Sequence, residues 1–183
     1  MKSVIVFFIV ALIMPLTGRA QNYYSDGSVI KQGSETVFNC SISKYSISLV
    51  NPREYPRSST PQENNVVGIK DRSVFKQALE EVFTPTELET YKDMILTFGI
   101  VHDASARPVD VWFSFDKEIG KTIPPSKFVE LRERLLQLVE FATTFRLTPG
   151  KYYSWSENII APLWYYRDPQ YYLPKSRSRK TNQ

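Results

Sequence analysis

Between Met94 and Phe115 the sequence alternates with a period of two. Met94, Leu96, Phe98 and Ile100 fall on one side of an extended chain, and Ile95, Thr97, Gly99 and Val101 on the other. After a polar turn around Asp103-Ala104-Ser105-Ala106, the residues Val109, Val111, Phe113 and Phe115 alternate with Asp110, Trp112 and Ser114. Two such runs joined by a short turn predict an antiparallel β-hairpin with one buried face. That face needs a cover. Pro124-Pro125 introduces a stretch in which Phe128, Leu131, Leu135, Leu138 and Ala142 recur at helical spacing, with Arg132, Glu133, Arg134 and Gln137 on the wet side. Hairpin and helix bury each other's apolar faces, which predicts an α+β fold with a core domain over residues 73–172.

Upstream of the hairpin, Val74, Ala78, Leu79 and Val82 share one helical face, with Glu80 and Glu81 on another. Thr84-Pro85-Thr86-Glu87 is a capping-box pattern, so two short helices are expected between Ser73 and about Asp93. Residues 21–72 hold short β-favouring runs, Thr36-Val37-Phe38 and Ile47-Ser48-Leu49-Val50, and then a stretch rich in Pro, Ser and Asn from Asn51 to Asn65. They read as an irregular β-rich lead-in rather than a second domain. Downstream, Lys151–Ser156 and Leu163–Tyr166 are expected to contain strands, one returning to the hairpin. The polar, basic residues 173–183 read as a disordered tail.

Residues 1–20 read as a secretory signal. Lys2 precedes an apolar run from Val4 to Met14, and Gly18-Arg19-Ala20 places small residues before a cut between Ala20 and Gln21. Eleven apolar residues fall far short of the ~30 Å hydrocarbon core of a bilayer. With Lys2 and Arg19 removed, 21 basic residues face 19 acidic ones, and four of the basic ones (Lys175, Arg177, Arg179, Lys180) crowd the tail. The folded part is therefore slightly acidic, which speaks against nucleic acid as a partner. The expected location is the periplasm or the exterior, with no membrane span after signal removal and weak contact between tail and anionic surface polymers.

Reactive chemistry has few residues to work with. Cys40 and His102 are the only cysteine and the only histidine, so an intramolecular disulfide is excluded and multi-histidine metal sites are largely excluded. Cys40 has no basic neighbour in sequence to favour a thiolate, and His102 beside Asp103 reads as a turn histidine paired with solvent or its neighbour. Glu80/Glu81 and Glu130/Glu133 read as solvated helix faces, the latter flanked by Arg132 and Arg134, rather than as carboxylates facing each other across a cleft. No phosphate-cradling glycine loop, zinc set or calcium loop is present. No catalytic residue, metal or cofactor is expected.

The aromatic stretch near the C-terminus carries the functional expectation. Tyr153 and Trp155 share a strand face by their spacing, as do Trp164 and Tyr166, and if exposed they would form flat platforms for a glycan ring or a protein partner. Phe83-Thr84-Pro85-Thr86-Glu87-Leu88, Val111-Trp112-Phe113-Ser114-Phe115, Ile123-Pro124-Pro125 and Lys151-Tyr152-Tyr153-Ser154-Trp155-Ser156 together resemble a family of exported Bacteroidales-type proteins with no assigned function. The hairpin-then-helix core is more distantly similar to the C-terminal domain of TonB-type energy transducers, which implies a returning strand and partner binding through a sheet edge. The expected function is a non-enzymatic binding module of the cell envelope. The alternatives are a small carbohydrate- or peptidoglycan-active enzyme, and a hydrolase inhibitor presenting the Asp103–Arg107 tip.

Overall fold

A computed structural model describes residues 22–56, 67–143, 149–156 and 161–168. The chain begins with strands β1 (Val29–Gln32), β2 (Glu35–Ile42), β3 (Ser46–Val50) and β4 (Val67–Ile69), then helices α1 (Val74–Val82) and α2 (Pro85–Thr90). The hairpin follows as β5 (Ile95–His102) and β6 (Pro108–Asp116), and then come a single turn α3 (Lys117–Gly120) and the helix α4 (Pro125–Leu138). Strands β7 (Phe141–Thr143), β8 (Tyr153–Ser156) and β9 (Ala161–Pro162) precede a 3-10 turn at Leu163–Arg167. The signal-like residues and the basic tail lie outside the described residues.

The main sheet runs β1-β2-β3-β6-β5-β8, all antiparallel, with β9 also pairing β5; β4 and β7 form a separate ribbon. The α+β class is as expected, and β8 is the returning strand. The residues read as an irregular lead-in supply three strands of this same sheet, with Leu49 opposite Phe113 and Ile47 opposite Phe115. Their apolar runs are short and interrupted by Asn and Ser, so only pairing to the hairpin reveals the alternation as one buried face.

Phe113 is fully buried and its ring meets Phe128 of α4 at 5.3 Å, while Phe115 stacks on Phe128 at 4.3 Å. Leu131 and Leu135 complete the helix's buried stripe. The stripe is shorter than its spacing suggested: α4 ends at Leu138, and Ala142 belongs to β7, where it pairs with Gly68. Helix α1 adds Phe75, Ala78, Leu79 and Val82, with the Phe75 ring edge-on to Phe98 at 4.9 Å. On the reverse face of the sheet the half-buried Trp112 lies over Gly99, and a Cβ at Gly99 would overlap the indole. The glycine is there because the backbone is the ring's floor.

The capping box forms as read. Thr84 Oγ1 accepts from the Glu87 amide at 3.2 Å, and Glu87 Oε2 accepts from the Thr84 amide at 2.8 Å. Lys127 of α4 then donates to Glu87 Oε2 and to the Val82 carbonyl, which ties the α1–α2 corner to the long helix.

The end of the chain departs from expectation. Leu163–Arg167 is a 3-10 turn, not a strand. Pro162 offers no amide to a sheet partner. The amides of Leu163 and Trp164 donate to the carbonyls of Met94 and Lys92 instead, wrapping the chain around the start of β5.

Candidate functional site

Polar residues gather where the β5–β6 hairpin turns. Asp103 Oδ1 accepts from the amides of Ser105 and Arg107 at 2.8 and 3.0 Å, and Oδ2 accepts from the Arg107 guanidinium. Beyond that closed turn, His102 pairs with Pro108 and Val101 with Asp110, so Val109 is one residue too many. This bulge interrupts the alternation at Asp110. The sequence reading placed Asp110 on the wet face with Trp112 and Ser114. In the fold it is 3% exposed, because Arg132 reaches it from α4.

Asp110 is met from three directions. Its Oδ1 accepts from Arg132 Nε at 2.7 Å and from the Val111 amide at 2.9 Å, and its Oδ2 accepts from the Tyr55 hydroxyl at 2.7 Å. Arg132, read as a wet-side residue, has a side chain only 19% exposed. Tyr55 comes from residues 51–56, which leave β3 at the same end of the sheet. The Tyr55 ring packs on Tyr152 at 4.9 Å, and the Tyr152 amide donates to the Pro56 carbonyl at 3.0 Å. One carboxylate thus fastens a loop, a strand and a helix together.

This anchor forms one wall of a cleft of about 350 Å³. Glu35, Asn51, Arg53, Tyr55, Asp110 and Arg132 supply its polar lining. A second cleft of about 390 Å³ lies against Asp103, Ser105, Lys151 and Tyr152. Tyr55 lines the first and Tyr152 the second, so the two clefts lie on either side of the paired rings.

Burial, and then the hydrogen bond to Asp110 and its charge, push the Tyr55 phenol up to about 12, although Arg53 pulls the other way. It remains a donor at neutral pH. Asp110 is committed to three donors, which hold it and its neighbours in place. Asn51 Oδ1 accepts from the Arg53 amide at 3.2 Å, while its buried Nδ2 has no hydrogen-bond partner among the described residues.

The residues singled out in the sequence are dispersed. Tyr153 and Trp155 sit in β8, in register with His102 and Ile100, and their side chains lie outside the described ones. Trp164 is 41% exposed, but Tyr166 is 1% exposed and donates from its hydroxyl to the Leu96 carbonyl. The two do not share a face, since a 3-10 turn does not place i and i+2 side by side as a strand does. Ala20 and Gln21 lie outside the described residues.

Cys40 and His102 are both buried, but they lie three strands apart and, by the register through Leu49, Phe113 and Phe98, four residues out of line, so well over ~14 Å separates them. They form no nucleophile–base pair. His102 is buried rather than solvated, and of the two partners expected for it the structure has the neighbour: Nδ1 lies 3.0 Å from the Asp103 carbonyl oxygen. Its ring packs on Phe141 at 4.6 Å, and burial lowers its pKa, with the neighbouring Asp103 carbonyl and charge opposing. Glu81 pairs with Arg134 at 3.3 Å, and Glu133 accepts from Gln32 at 2.6 Å. Among the described residues no group of three or more His, Cys, Asp or Glu could hold a metal ion.

Tyr55, Asp110 and Arg132 were not singled out by sequence reasoning. One signal was present. Arg132 follows Phe128 by four residues, on the flank of the stripe that faces the sheet, and Asp110 lies in the strand beneath it. A helix-flank arginine opposite a strand aspartate was the pair to test.

No protein-family model matches the chain, and no curated protein matches it. Among solved structures, its fold is similar to that of a DUF5043 family protein from Bacteroides uniformis, known from a crystal structure at 1.85 Å resolution. The TM-score is 0.57 at 14% sequence identity, over 75% of this chain and 88% of the other. What is shared is the α+β fold of an antiparallel sheet with helices. The likeness agrees with the Bacteroidales-type resemblance read from the sequence. The comparisons do not show the TonB-type resemblance.

Proposed function

We propose that this chain is an exported, non-enzymatic binding module of the cell envelope, and that its ligand sits in the cleft built on Asp110. The observation carrying this reading is the buried Asp110–Arg132 pair, capped by Tyr55, along the wall of a 350 Å³ cleft. Small-molecule sites are concave, of this size, and oriented by a few fixed polar groups. Side chains held by packing and ion pairing are pre-organised, so little is lost in ordering them when a ligand arrives. The secretory signal supports export, and among the described residues no helix is long and apolar enough to cross a membrane. In this reading the protein also belongs with the exported Bacteroidales-type family that the sequence resembles.

The test takes the chain from Gln21 onward and incubates it with fractionated envelope material: polysaccharide, peptidoglycan fragments and soluble protein. Binding is followed by native mass spectrometry and calorimetry, beside Arg53→Ala and Asn51→Ala. Reversible binding to one fraction, weakened by either substitution without chemical change of the ligand, is the expected result. Turnover of any fraction would overturn the non-enzymatic reading. Binding indifferent to both substitutions would remove the cleft as the site.

A further inference from the structure

The cleft's hydrogen-bonding inventory narrows its ligand, granted the reading of the cleft as the binding site. Two carboxylates, Glu35 and Asp110, and two guanidinium groups, Arg53 and Arg132, line it, so its formal charge is zero. A ligand carrying a full charge would be drawn by one pair and repelled by the other, and would surrender its hydration for little net attraction. A neutral ligand escapes that penalty.

What the cleft does offer is donors beside acceptors. Asn51 Nδ2 is a buried donor that has found no acceptor among the described residues. That nitrogen has essentially no exposed surface, so a ligand oxygen reaches it only when the Asn51 amide turns toward the cleft, and the pairing then relieves the cost of an unpaired buried donor. Glu35, exposed on β2, offers the opposite function, an acceptor wanting a donor. A hydroxyl group does both at once, and adjacent hydroxyls on one ring supply donor and acceptor side by side.

The joined rings of Tyr55 and Tyr152 add the second element. They stand between two clefts of about 350 and 390 Å³, each large enough for a small polar ring. Tyrosine presents an apolar body and a polar edge, which suits the two-sided character of a sugar ring. The second cleft is likewise polar, with Asp103, Ser105 and Lys151 along it. We infer that the Tyr55–Tyr152 groove binds a neutral oligosaccharide, two or more rings long, that bridges the two clefts and gives a hydroxyl oxygen to Asn51.

The experiment titrates the chain from Gln21 onward, by calorimetry and saturation-transfer NMR, with three sets of probes. These are neutral disaccharides and trisaccharides of hexoses and N-acetylhexosamines, their uronic-acid counterparts, and tripeptides of mixed charge. Binding of at least one neutral sugar in preference to its uronic counterpart is expected. Asn51→Ala and Glu35→Gln should each weaken it about tenfold, with the melting temperature used to confirm folding. Tyr152→Ala should weaken trisaccharides more than monosaccharides. Uronic sugars or peptides that bind and are sensitive to Asn51→Ala would overturn the neutral-saccharide inference while leaving the cleft as the site. Neutral sugars that bind indifferently to Asn51→Ala and Glu35→Gln would overturn the cleft itself. Binding by none of the three sets would overturn the inference.

Discussion

Phe113 and Asp110 are three residues apart on β6 and both are buried, yet different forces hold them in place. Phe113 sits between Phe38 and Phe128, rings at 5.9 and 5.3 Å, in a core with almost no polar content. Asp110 sits at the hairpin end, where burial is tolerated only because Arg132, Tyr55 and an amide satisfy it. Apolar packing is non-directional and forgiving of its partner's identity; a buried charge is neither. The core can therefore be substituted at a cost set by volume. The anchor can be substituted only as a set.

Removing the Phe113 ring should produce the largest effect. Phe113→Ala deletes a fully buried aromatic between two others and leaves a cavity, at about 4 kcal/mol. Urea unfolding should show a sharply lowered midpoint with little change in slope. A loss under 1 kcal/mol would mean that the sheet and α4 are not sealed as described.

The anchor should respond differently to single and double substitution. Asp110→Ala leaves Arg132 largely buried without its counter-charge and frees residues 51–56, at about 3 kcal/mol. Adding Arg132→Met should recover part of that loss, because an apolar pair needs no compensation. Additive losses in this cycle would show the ion pair to be incidental, and the contrast with Phe113 would fall.

The reverse face of the sheet offers a third environment. Gly99→Ala would drive a methyl group into the Trp112 indole, and the ring must shift to admit it. The expected cost is about 2 kcal/mol, as for overpacking elsewhere. Near-UV circular dichroism should change with it, since Trp112 leaves its present setting. An unchanged aromatic spectrum and melting temperature would show that this face is loosely held.

These contrasts explain what the sequence made legible. The alternation at 94–115 and the stripe at Phe128, Leu131 and Leu135 announce their own geometry, because period two and period 3.6 are properties of single elements. The capping box at Thr84 is equally local. The polar cleft is not local. Glu35, Tyr55, Asp110 and Arg132 come from four separate stretches, and no spacing rule links them. The bulge at Val109 hides the anchor further, since strict alternation sends Asp110 to the wrong environment. Leu163–Arg167 misled for a related reason: an aromatic run suits a strand, but the carbonyls of Lys92 and Met94 claimed its amides.

Tyr55→Phe makes the finest cut between anchor and core, because it removes one oxygen and almost no volume. The lost hydrogen bond is to a charged group, so about 1.5 kcal/mol is expected at neutral pH. The difference should also depend on pH. Tyr55 titrates at about 12 in the fold, above the ordinary phenol value near 10, so the folded state holds its proton longer than the unfolded chain. Its contribution is fully present below about pH 10 and fades as pH rises from there through about 12. Stability curves of the parent and the Phe variant should run parallel up to about pH 10 and converge above it. An ultraviolet phenolate titration that loses its latest-ionising component in the variant would tie that convergence to Tyr55. Curves parallel throughout would mean that the phenol does not hold Asp110 at all, and that residues 51–56 are fastened by the packing of Tyr55 on Tyr152 and the hydrogen bond from the Tyr152 amide to the Pro56 carbonyl.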